Sequence, residues 1–329
     1  MSGSLVSIII RCYNEEEHIG RLLSGIFEQS IKDVQVIIVD SGSTDRTLSI
    51  ASKFPAVIYN ISPEEFSFGR ALNTGCAVAT GEFVAMASAH VYPTHRRWLE
   101  YLLAPFQDPR VALVYGKQRG NGHTTYSEHK IFCKWFPEAS VSAQKSPFCN
   151  NANAAIRRSL WVQIPYNGDL TGLEDLEWAK RVIQSGYYLA YVAEAEVIHV
   201  HNETYVGTFN RYYREAITLH SLFPEQKFRI WDCLWLWFLN TVSDYTHALH
   251  DKKLRKNLVG IPLFRWMQFW GTYRGYAQRD SISETLRQRF YYPNRLEPPD
   301  SSQNVNSVSA VDYIDYSSCG QGDKVEPHC

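Results

Sequence analysis

The part of the chain before about residue 115 alternates short apolar runs with segments of helical periodicity. Runs rich in β-branched residues predict strands, and the segments between them predict amphipathic helices. Consecutive strands joined by helices pair in parallel, because a helical crossover returns the chain to the edge where the previous strand began. The five predicted strands are 5–10, 34–39, 56–60, 83–87 and 111–116. The pattern therefore predicts an α/β fold, with an open Rossmann-like sheet flanked by helices.

Polar turns follow the first two predicted strands. The first turn is 11-RCYNEEE-17, in which Asn14 and Glu17 predict an N-cap and capping box for the next helix. The second turn begins at Asp40 and continues as 41-SGSTDRT-47. Open α/β sheets place their ligands at the carboxyl ends of neighbouring strands, so the two turns predict a nucleotide-binding crevice.

Composition excludes several classes of function. The formal net charge is −1, whereas nucleic-acid binders carry a strong basic excess. The seven cysteines include no C-x-x-C pair and lie mostly in apolar runs, which favours reduced thiols and a cytoplasmic protein. We find no secretory signal pattern. The longest apolar stretch, 230–240, contains Asp232 and is shorter than the ~20 residues that a membrane-spanning helix needs.

Three segments in fixed order resemble one known family. They are VSIIIRCYNEE, VIIVDSGSTDRT and FSFGRALNTGCAVATGEFV. Together they resemble the family 2 glycosyltransferases of GT-A fold, and more closely their rhamnosyltransferase-like branch, over residues 4–220. The resemblance implies an open mixed sheet in a catalytic domain, 1–205, with a nucleotide-binding half, 1–117, and an acceptor and catalytic half, 118–205.

The resemblance also assigns the residues of a nucleotide-sugar site. Asp40 would accept a hydrogen bond from the imide N–H of uracil or thymine, or from a ribose hydroxyl, and Tyr13 would stack on the base. The alternative is that Asp40 caps the next helix and Tyr13 is a core residue. The full set of predicted ligands of a UDP- or dTDP-linked sugar is Arg11, Tyr13, Glu15, Asp40, Gly42, Arg70, Asn73, Ser88 and Ala89.

A histidine occupies the position where the family places a metal-binding acidic turn. In the family a D-x-D-type turn after the fourth strand holds a divalent metal, Mn²⁺ or Mg²⁺, on the diphosphate. Here that turn reads Ser88-Ala89-His90. His199 and His201 alternate on a predicted strand and share one face, so with His90 they are the predicted metal ligands. Imidazole suits Mn²⁺ or Zn²⁺ better than Mg²⁺. The alternatives are that His90 hydrogen-bonds the diphosphate directly, or that it is a solvated turn residue.

Two carboxylates open a predicted helix in 169-DLTGLEDLEWAKRVIQSGY-187. Glu174 and Asp175 match the catalytic pair of the family, with Asp175 as the base that deprotonates the acceptor hydroxyl. The helix dipole at this end predicts a lowered pKa for Asp175. Without the resemblance, two acids at this position would be ordinary capping residues.

Predicted acceptor contacts flank that helix. Asn151, Asn153 and Trp178 are the candidate acceptor ligands, because amides suit sugar hydroxyls. The Gly-rich segment 118–130 is a candidate acceptor lid.

The chain after residue 205 changes character. Residues 206–296 predict helices rich in aromatic residues with interleaved basic residues. Such helices either contact an anionic membrane peripherally, at its cytoplasmic face, or pack on the catalytic domain or a second subunit. Residues 297–329 are polar and unpatterned and predict a disordered tail.

The sequence therefore predicts an inverting glycosyltransferase of polysaccharide biosynthesis. It would move a sugar, with rhamnose as the candidate, from a nucleoside diphosphate to a glycan or a lipid-linked acceptor. The alternative is a catalytically silent module that binds sugar nucleotides or glycans. A dehydrogenase would need a G-x-G-x-x-G turn after the first strand, and this chain lacks one.

Overall fold

The computed structural model describes residues 5–201 and 203–278, together with residues 286, 290 and 291. The described residues form two units, which divide after residue 202. The predicted tail, 297–329, and most of 279–296 lie outside the described residues.

The first unit is built on one mixed sheet. Its strands are β1 (Val6–Cys12), β2 (Val34–Asp40), β3 (Ala56–Asn60), β4 (Phe83–Ser88), β5 (Val91–Pro93), β6 (Val111–Arg119), β7 (Val141–Gln144), β8 (Asn153–Arg157) and β9 (Tyr188–His199). The sheet order is β3-β2-β1-β4-β8-β6-β9-β5, and β7 pairs with β9. Strands β1 to β4 are parallel, and β8 joins the halves by antiparallel pairing with β4 and β6. The predicted open mixed sheet is confirmed.

Helices cover this sheet. They are α1 (Ile19–Phe27), α2 (Thr47–Ala51), α3 (Phe68–Val78), α4 (Trp98–Leu103), α5 (Tyr126–Trp135), α6 (Arg158–Gln163) and α7 (Glu174–Gln184), with a 3₁₀ turn at Ala104–Gln107. Strand β1 lies at the centre, where Ile8, Ile9 and Ile10 are all fully buried. A strand that is buried on both faces reads as a continuous apolar run, which explains the sequence of β1.

The predicted capping box at Asn14 and Glu17 is wrong. Helix α1 begins at Ile19, and its N-cap residue, His18, makes no side-chain capping bond. Asn14 has a left-handed backbone, with φ of 53°, and its side chain accepts a hydrogen bond from the backbone N–H of Thr44. A bond to the neighbouring turn has replaced the local cap that the spacing predicted.

The second unit is helical. It consists of α8 (Tyr205–Leu222), α9 (Ile230–His250), α10 (Leu254–Asn257) and α11 (Gly260–Tyr276). Gly271 and Gly275 of α11 lie against the backbone of α8, close to Phe209 and Tyr213. Asp244 of α9 forms a buried two-pronged ion pair with Arg265 of α11, at 2.7 and 3.0 Å. Within the described part of the chain, no helix has both the length and the hydrophobicity to cross a bilayer.

The cysteines follow the expectation in part. Cys12, Cys76, Cys149 and Cys233 are free and buried, as expected of reduced thiols. Cys319 and Cys329 lie outside the described residues.

Candidate active site

The site lies at the carboxyl ends of β1, β2 and β4. The sheet order reverses at β1, because β2 and β3 extend to one side of it and β4 to the other. The pairing places Cys12 opposite Asp40 and Arg11 opposite Ser88. The turns that follow these strands therefore meet at a topological switch point, where open α/β sheets bind ligands.

The turns after β1 and β2 are joined to each other. The backbone N–H of Asn14 donates to the hydroxyl of Ser43 at 2.9 Å, and Thr44 donates back to the Asn14 side chain at 2.8 Å. The backbone N–H of Glu15 donates to the hydroxyl of Thr47 at 2.7 Å. Because the bonds run in both directions, each turn stabilises the shape of the other.

Asp40 holds the second turn in shape. Its carboxylate accepts hydrogen bonds from the backbone N–H groups of Gly42 and Ser43 at 2.9 and 3.0 Å, and from the Ser43 hydroxyl. Gly42 has φ of 93°, a conformation that favours glycine. These contacts hold the turn and do not cap the next helix, because α2 begins at Thr47 and its N-cap residue is Arg46. The contact of Asp40 with a base or ribose stays a prediction. Tyr13, the predicted stacking residue, is half-buried next to this turn.

Arg11 connects the nucleotide turn to the catalytic helix. Its guanidinium lies 2.8 Å from a carboxylate oxygen of Glu174 and stacks over the ring of Phe68, 4.8 Å from the centroid. Both charged side chains of this ion pair are largely buried. Glu174 is thus paired with Arg11, whereas no cation among the described residues forms an ion pair with Asp175 beside it.

Asp175 is the buried acid at the start of α7. Its two carboxylate oxygens accept hydrogen bonds from the backbone N–H groups of Asn151 and Leu176, at 3.0 and 2.8 Å. Burial, followed by repulsion from Glu174, raises the pKa of Asp175 to about 7. The lowered pKa predicted from the helix dipole is therefore wrong, because desolvation outweighs the hydrogen bonds and the nearby Arg11. An acid with this pKa can accept a proton near neutral pH.

The three predicted histidines converge. Atoms of His90, His199 and His201 that can bind a metal all lie within 4.8 Å of one another. The Nε2 atoms of His199 and His201 are 2.8 Å apart. We call these three residues the histidine cluster.

Each ring of the histidine cluster is oriented by a side-chain oxygen at Nδ1. The partners are Glu15 for His90, Gln118 for His199 and Glu128 for His201, each at 2.7 Å. An acceptor at Nδ1 fixes the ring and leaves Nε2 as the nitrogen that can bind a metal. The donor set therefore fits a divalent ion that accepts imidazole ligands.

The sequence did not identify Gln118 and Glu128 as partners of the cluster. Both side chains are almost completely buried, in β6 and α5. Gln118 and Glu128 therefore belong to packed elements, whereas residues 120–125 between them form a loop in which Gly122 and His123 are exposed. An acceptor lid in this loop stays a prediction. The only sequence signal for Gln118 and Glu128 was a polar residue inside an apolar element.

Four other predicted nucleotide ligands lie around the crevice. Arg70 pairs with Asp169 at 3.0 Å. Asn73 accepts from the Trp161 indole and donates to the Tyr166 carbonyl, so it fixes α3 to the 161–166 segment. Ser88 is half-buried and Ala89 is buried in the turn before His90. Their contacts with a nucleotide sugar stay predictions.

Asn151 has the least satisfied buried side chain near the catalytic helix. Its amide nitrogen and oxygen are both buried and have no hydrogen-bond partner among the described residues. Its backbone N–H holds Asp175. These unpaired groups give Asn151 unused hydrogen-bonding capacity beside the base. Because both atoms are buried, their contact with a sugar hydroxyl stays a prediction.

Two predicted acceptor ligands are core residues instead. Asn153 is fully buried, donates to the carbonyls of Lys117 and Ala195, and accepts from the Trp98 indole. Trp178 is also fully buried and donates to the carbonyl of Ile164. Neither side chain can reach an acceptor, because both complete the packing between the sheet and its helices.

Comparison with known proteins identifies similar chains. The family model described as Glycosyl transferase family 2 matches residues 7–163. The chain is 34% identical to the O-antigen chain rhamnosyltransferase WbaN of Salmonella anatum over 208 residues, which cover 60% of this chain and 66% of that protein. It is 30% identical to the O-antigen chain rhamnosyltransferase RfbN of Salmonella typhimurium over 233 residues, which cover 67% of this chain and 73% of that protein.

A solved structure shares the fold. It is the mannosyltransferase PcManGT from Pyrobaculum calidifontis in complex with GDP-Man and Mn²⁺, with a TM-score of 0.57 and 18% identity. The match covers 89% of this chain and 88% of that one.

Proposed function

The chain belongs to the family 2 glycosyltransferases, and from this premise we propose that it is an inverting enzyme with Asp175 as the general base. It transfers a sugar from a nucleoside diphosphate to a hydroxyl of a glycan or lipid-linked acceptor. The proposal rests on one observation: a buried carboxylate at the start of α7 that two backbone N–H groups hold in place. Burial raises the pKa of this carboxylate, which suits a base that works near neutral pH.

The reaction follows from that position. The acceptor O–H gives its proton to the Asp175 carboxylate while its oxygen forms a bond to the anomeric carbon. The bond between that carbon and the diphosphate oxygen breaks, and the electron pair leaves with the diphosphate. Attack from the face opposite the leaving group inverts the anomeric configuration.

The sugar is rhamnose in this proposal. Two relatives that share 34% and 30% identity with the chain are named O-antigen chain rhamnosyltransferases. The nucleotide, UDP or dTDP, lies against Tyr13 and the Asp40 turn. A ligand screen by thermal shift checks this assignment, because a ligand at ~100 times its dissociation constant stabilises the folded protein by ~2.7 kcal/mol.

The histidine cluster holds a divalent metal in this proposal. The mannosyltransferase PcManGT, which shares the fold, was solved with Mn²⁺. Imidazole ligands suit Mn²⁺ and Zn²⁺ better than Mg²⁺. A bound ion would neutralise charge on the leaving diphosphate. The competing version has His90 donate a hydrogen bond to the diphosphate without an ion.

The change Asp175→Asn tests the base. Turnover should fall by ~10²–10⁴, because the acceptor proton has no buried base to receive it, while donor binding changes little. The measurement is single-turnover transfer together with donor affinity by calorimetry. Asp33→Asn, the same change at an exposed acid in the loop before β2, is the matched control.

Two results would contradict this assignment. If Asp175→Asn and Asp33→Asn turn over at the same rate, Asp175 is not the base. If the parent protein binds donors but transfers no sugar to any acceptor, the silent binding module is the better description.

Metal titration tests the histidine cluster without reference to activity. Chelator-treated protein should bind Zn²⁺ and Mn²⁺ more tightly than Mg²⁺ by calorimetry. His199→Ala should abolish that binding, and Glu128→Gln should weaken it by ~10–100-fold, because Glu128 orients His201. His247→Ala, at an exposed histidine of α9, is the control. Unchanged metal affinity in His199→Ala, or full transfer activity of the parent in excess chelator, would favour the direct-contact version.

A further inference from the structure

Helix α9 has an inverted distribution of polar and apolar residues. Its exposed side carries an apolar stripe, which we define as Trp231, Trp235, Phe238, Val242 and Leu249, with exposed fractions between 43% and 74%. Its buried side includes Asp244 and Thr241. A helix that packs only on its own protein buries its apolar face. We therefore expect the exposed stripe of α9 to contact a second apolar environment.

The stripe is continuous along the helix. Its residues recur at intervals of three, four and seven, which keeps them on one face at 3.6 residues per turn. The helix is 21 residues long, or about 30 Å. No charged residue belongs to the stripe. The acid nearest to it, Asp232, accepts a hydrogen bond from the backbone N–H of Arg229 at the start of the helix.

Basic residues lie at both ends of α9. Lys227 and Arg229 precede it, and Lys252, Lys253, Arg255 and Lys256 follow it. All six are exposed except Lys253, which is half-buried. Fewer acidic residues occupy the same stretch, and one of them, Asp244, is buried against Arg265.

The segment after α10 extends the apolar surface. Leu258 and Val259 are 54% and 72% exposed. The hydroxyl of Tyr245 donates to the carbonyl of Leu258 at 2.6 Å, so this segment lies beside α9. The exposed apolar area is therefore wider than one helix.

We propose that this face of the second unit docks on an anionic phospholipid bilayer. The apolar stripe lies at the boundary between headgroups and acyl chains, where tryptophan is favoured, and the basic residues at both ends contact the anionic headgroups. The helix lies in the plane of the interface and does not span the bilayer. This proposal does not depend on the reaction assigned to the first unit.

A second copy of the chain fits this face less well than a bilayer does. In a two-fold symmetric dimer the same patch meets itself, so the α9 helices would pair either parallel or antiparallel. Both ends of α9 are basic, so either arrangement brings like charges together. An anionic bilayer offers both apolar acyl chains for the stripe and negatively charged headgroups for the basic residues.

Vesicle sedimentation of the full chain tests the proposal. Vesicles of phosphatidylcholine alone should bind little protein, and vesicles that also contain phosphatidylglycerol should bind it, with binding that falls as salt increases. Trp231→Ser combined with Trp235→Ser should weaken binding by at least about tenfold. Replacing Arg255 and Lys256 together by glutamine should weaken it by about fivefold for each residue.

A matched pair of variants controls for surface hydrophobicity. Val242→Ser lies in the stripe and Val206→Ser lies on α8, and both valines are exposed. Only Val242→Ser should weaken vesicle binding. Circular dichroism and thermal unfolding of each variant, measured without vesicles, should equal those of the parent, which shows that the chain is folded.

Three results would overturn the proposal. The first is that the parent does not bind phosphatidylglycerol vesicles. The second is that Val242→Ser and Val206→Ser bind vesicles alike. The third is that the parent is a dimer by analytical ultracentrifugation and the double tryptophan variant is a monomer with unchanged vesicle binding, which would assign the stripe to a second copy.

Discussion

Asp175 and Glu174 are adjacent in the sequence but differ in their surroundings. Glu174 is paired with Arg11, whereas the buried carboxylate of Asp175 accepts hydrogen bonds from two backbone N–H groups of the described residues. The charge of Glu174 is the second cause, after burial, of the raised pKa of Asp175. The two acids therefore have separate roles, since Glu174 joins the turn after β1 to α7 and adjusts the pKa of its neighbour.

This arrangement predicts a specific pH dependence of transfer. A general base must be deprotonated, and the pKa of Asp175 is raised to about 7, so the rate should fall about tenfold per pH unit below that value and level off above it. Glu174→Gln should move this acidic limb to lower pH, because it removes a charge that raises the pKa of Asp175. The measurement is the single-turnover rate between mildly acidic and mildly alkaline pH.

Glu177→Gln provides the control for that shift. Glu177 lies one turn along α7 and pairs with Arg181 at 2.7 Å, and it is not among the main causes of the raised pKa of Asp175. Its variant should keep the acidic limb of the parent. An acidic limb that does not move in Glu174→Gln would contradict the coupling between the two acids.

Helices α8 and α11 pack closely where α11 has glycine residues. A Cβ atom added at Gly275 would lie 2.5 Å from the Cβ of Ala216 and 2.7 Å from the carbonyl oxygen of Tyr213. Contacts this short force the helices apart. The absence of a side chain at Gly275 therefore sets the distance between α8 and α11.

Gly275→Ala should destabilise the second unit. The forced separation should lower the free energy of unfolding by ~1–3 kcal/mol, which outweighs the ~1 kcal/mol that alanine gains over glycine in a helix. Gly260→Ala, in the same helix, is the control, because its added Cβ would meet the Tyr205 hydroxyl at an ordinary 3.6 Å. The measurement is thermal unfolding by circular dichroism. Equal unfolding temperatures for both variants would show that the helices adjust without cost.

Across the whole molecule, the sequence predicted the parallel strands better than the antiparallel ones. Strands β1 to β4 and β6 contain apolar runs and are separated by helices or turns, so their positions followed from the sequence pattern. Strand β8 reads Asn-Ala-Ala-Ile-Arg and β5 has three residues, so neither carries a periodic signal. Their places in the sheet depend on tertiary pairing.

The sequence also predicted some residues of the functional site and missed others. The histidine cluster was identified from short spacing and from the family resemblance. The partners Gln118 and Glu128 lie 81 and 73 positions from the histidines they contact, and no local pattern encodes such distances. The direction of the Asp175 pKa shift was also missed, because burial depends on the packing around α7 and not on the helix that contains the residue.

The turns after β1 and β2 complete each other's hydrogen bonds, and this constrains how the lengths of the two loops can change in evolution. Asn14 donates one hydrogen bond to the second turn through its backbone N–H and accepts another through its side chain. Glu16 likewise donates to the side chain of Asp45 and accepts from the backbone N–H of Arg46. Inserting or deleting one residue in either turn would misalign every one of these bonds. Natural variation should therefore alter the lengths of the two loops together, so that they are inherited as one module although more than 20 residues separate them.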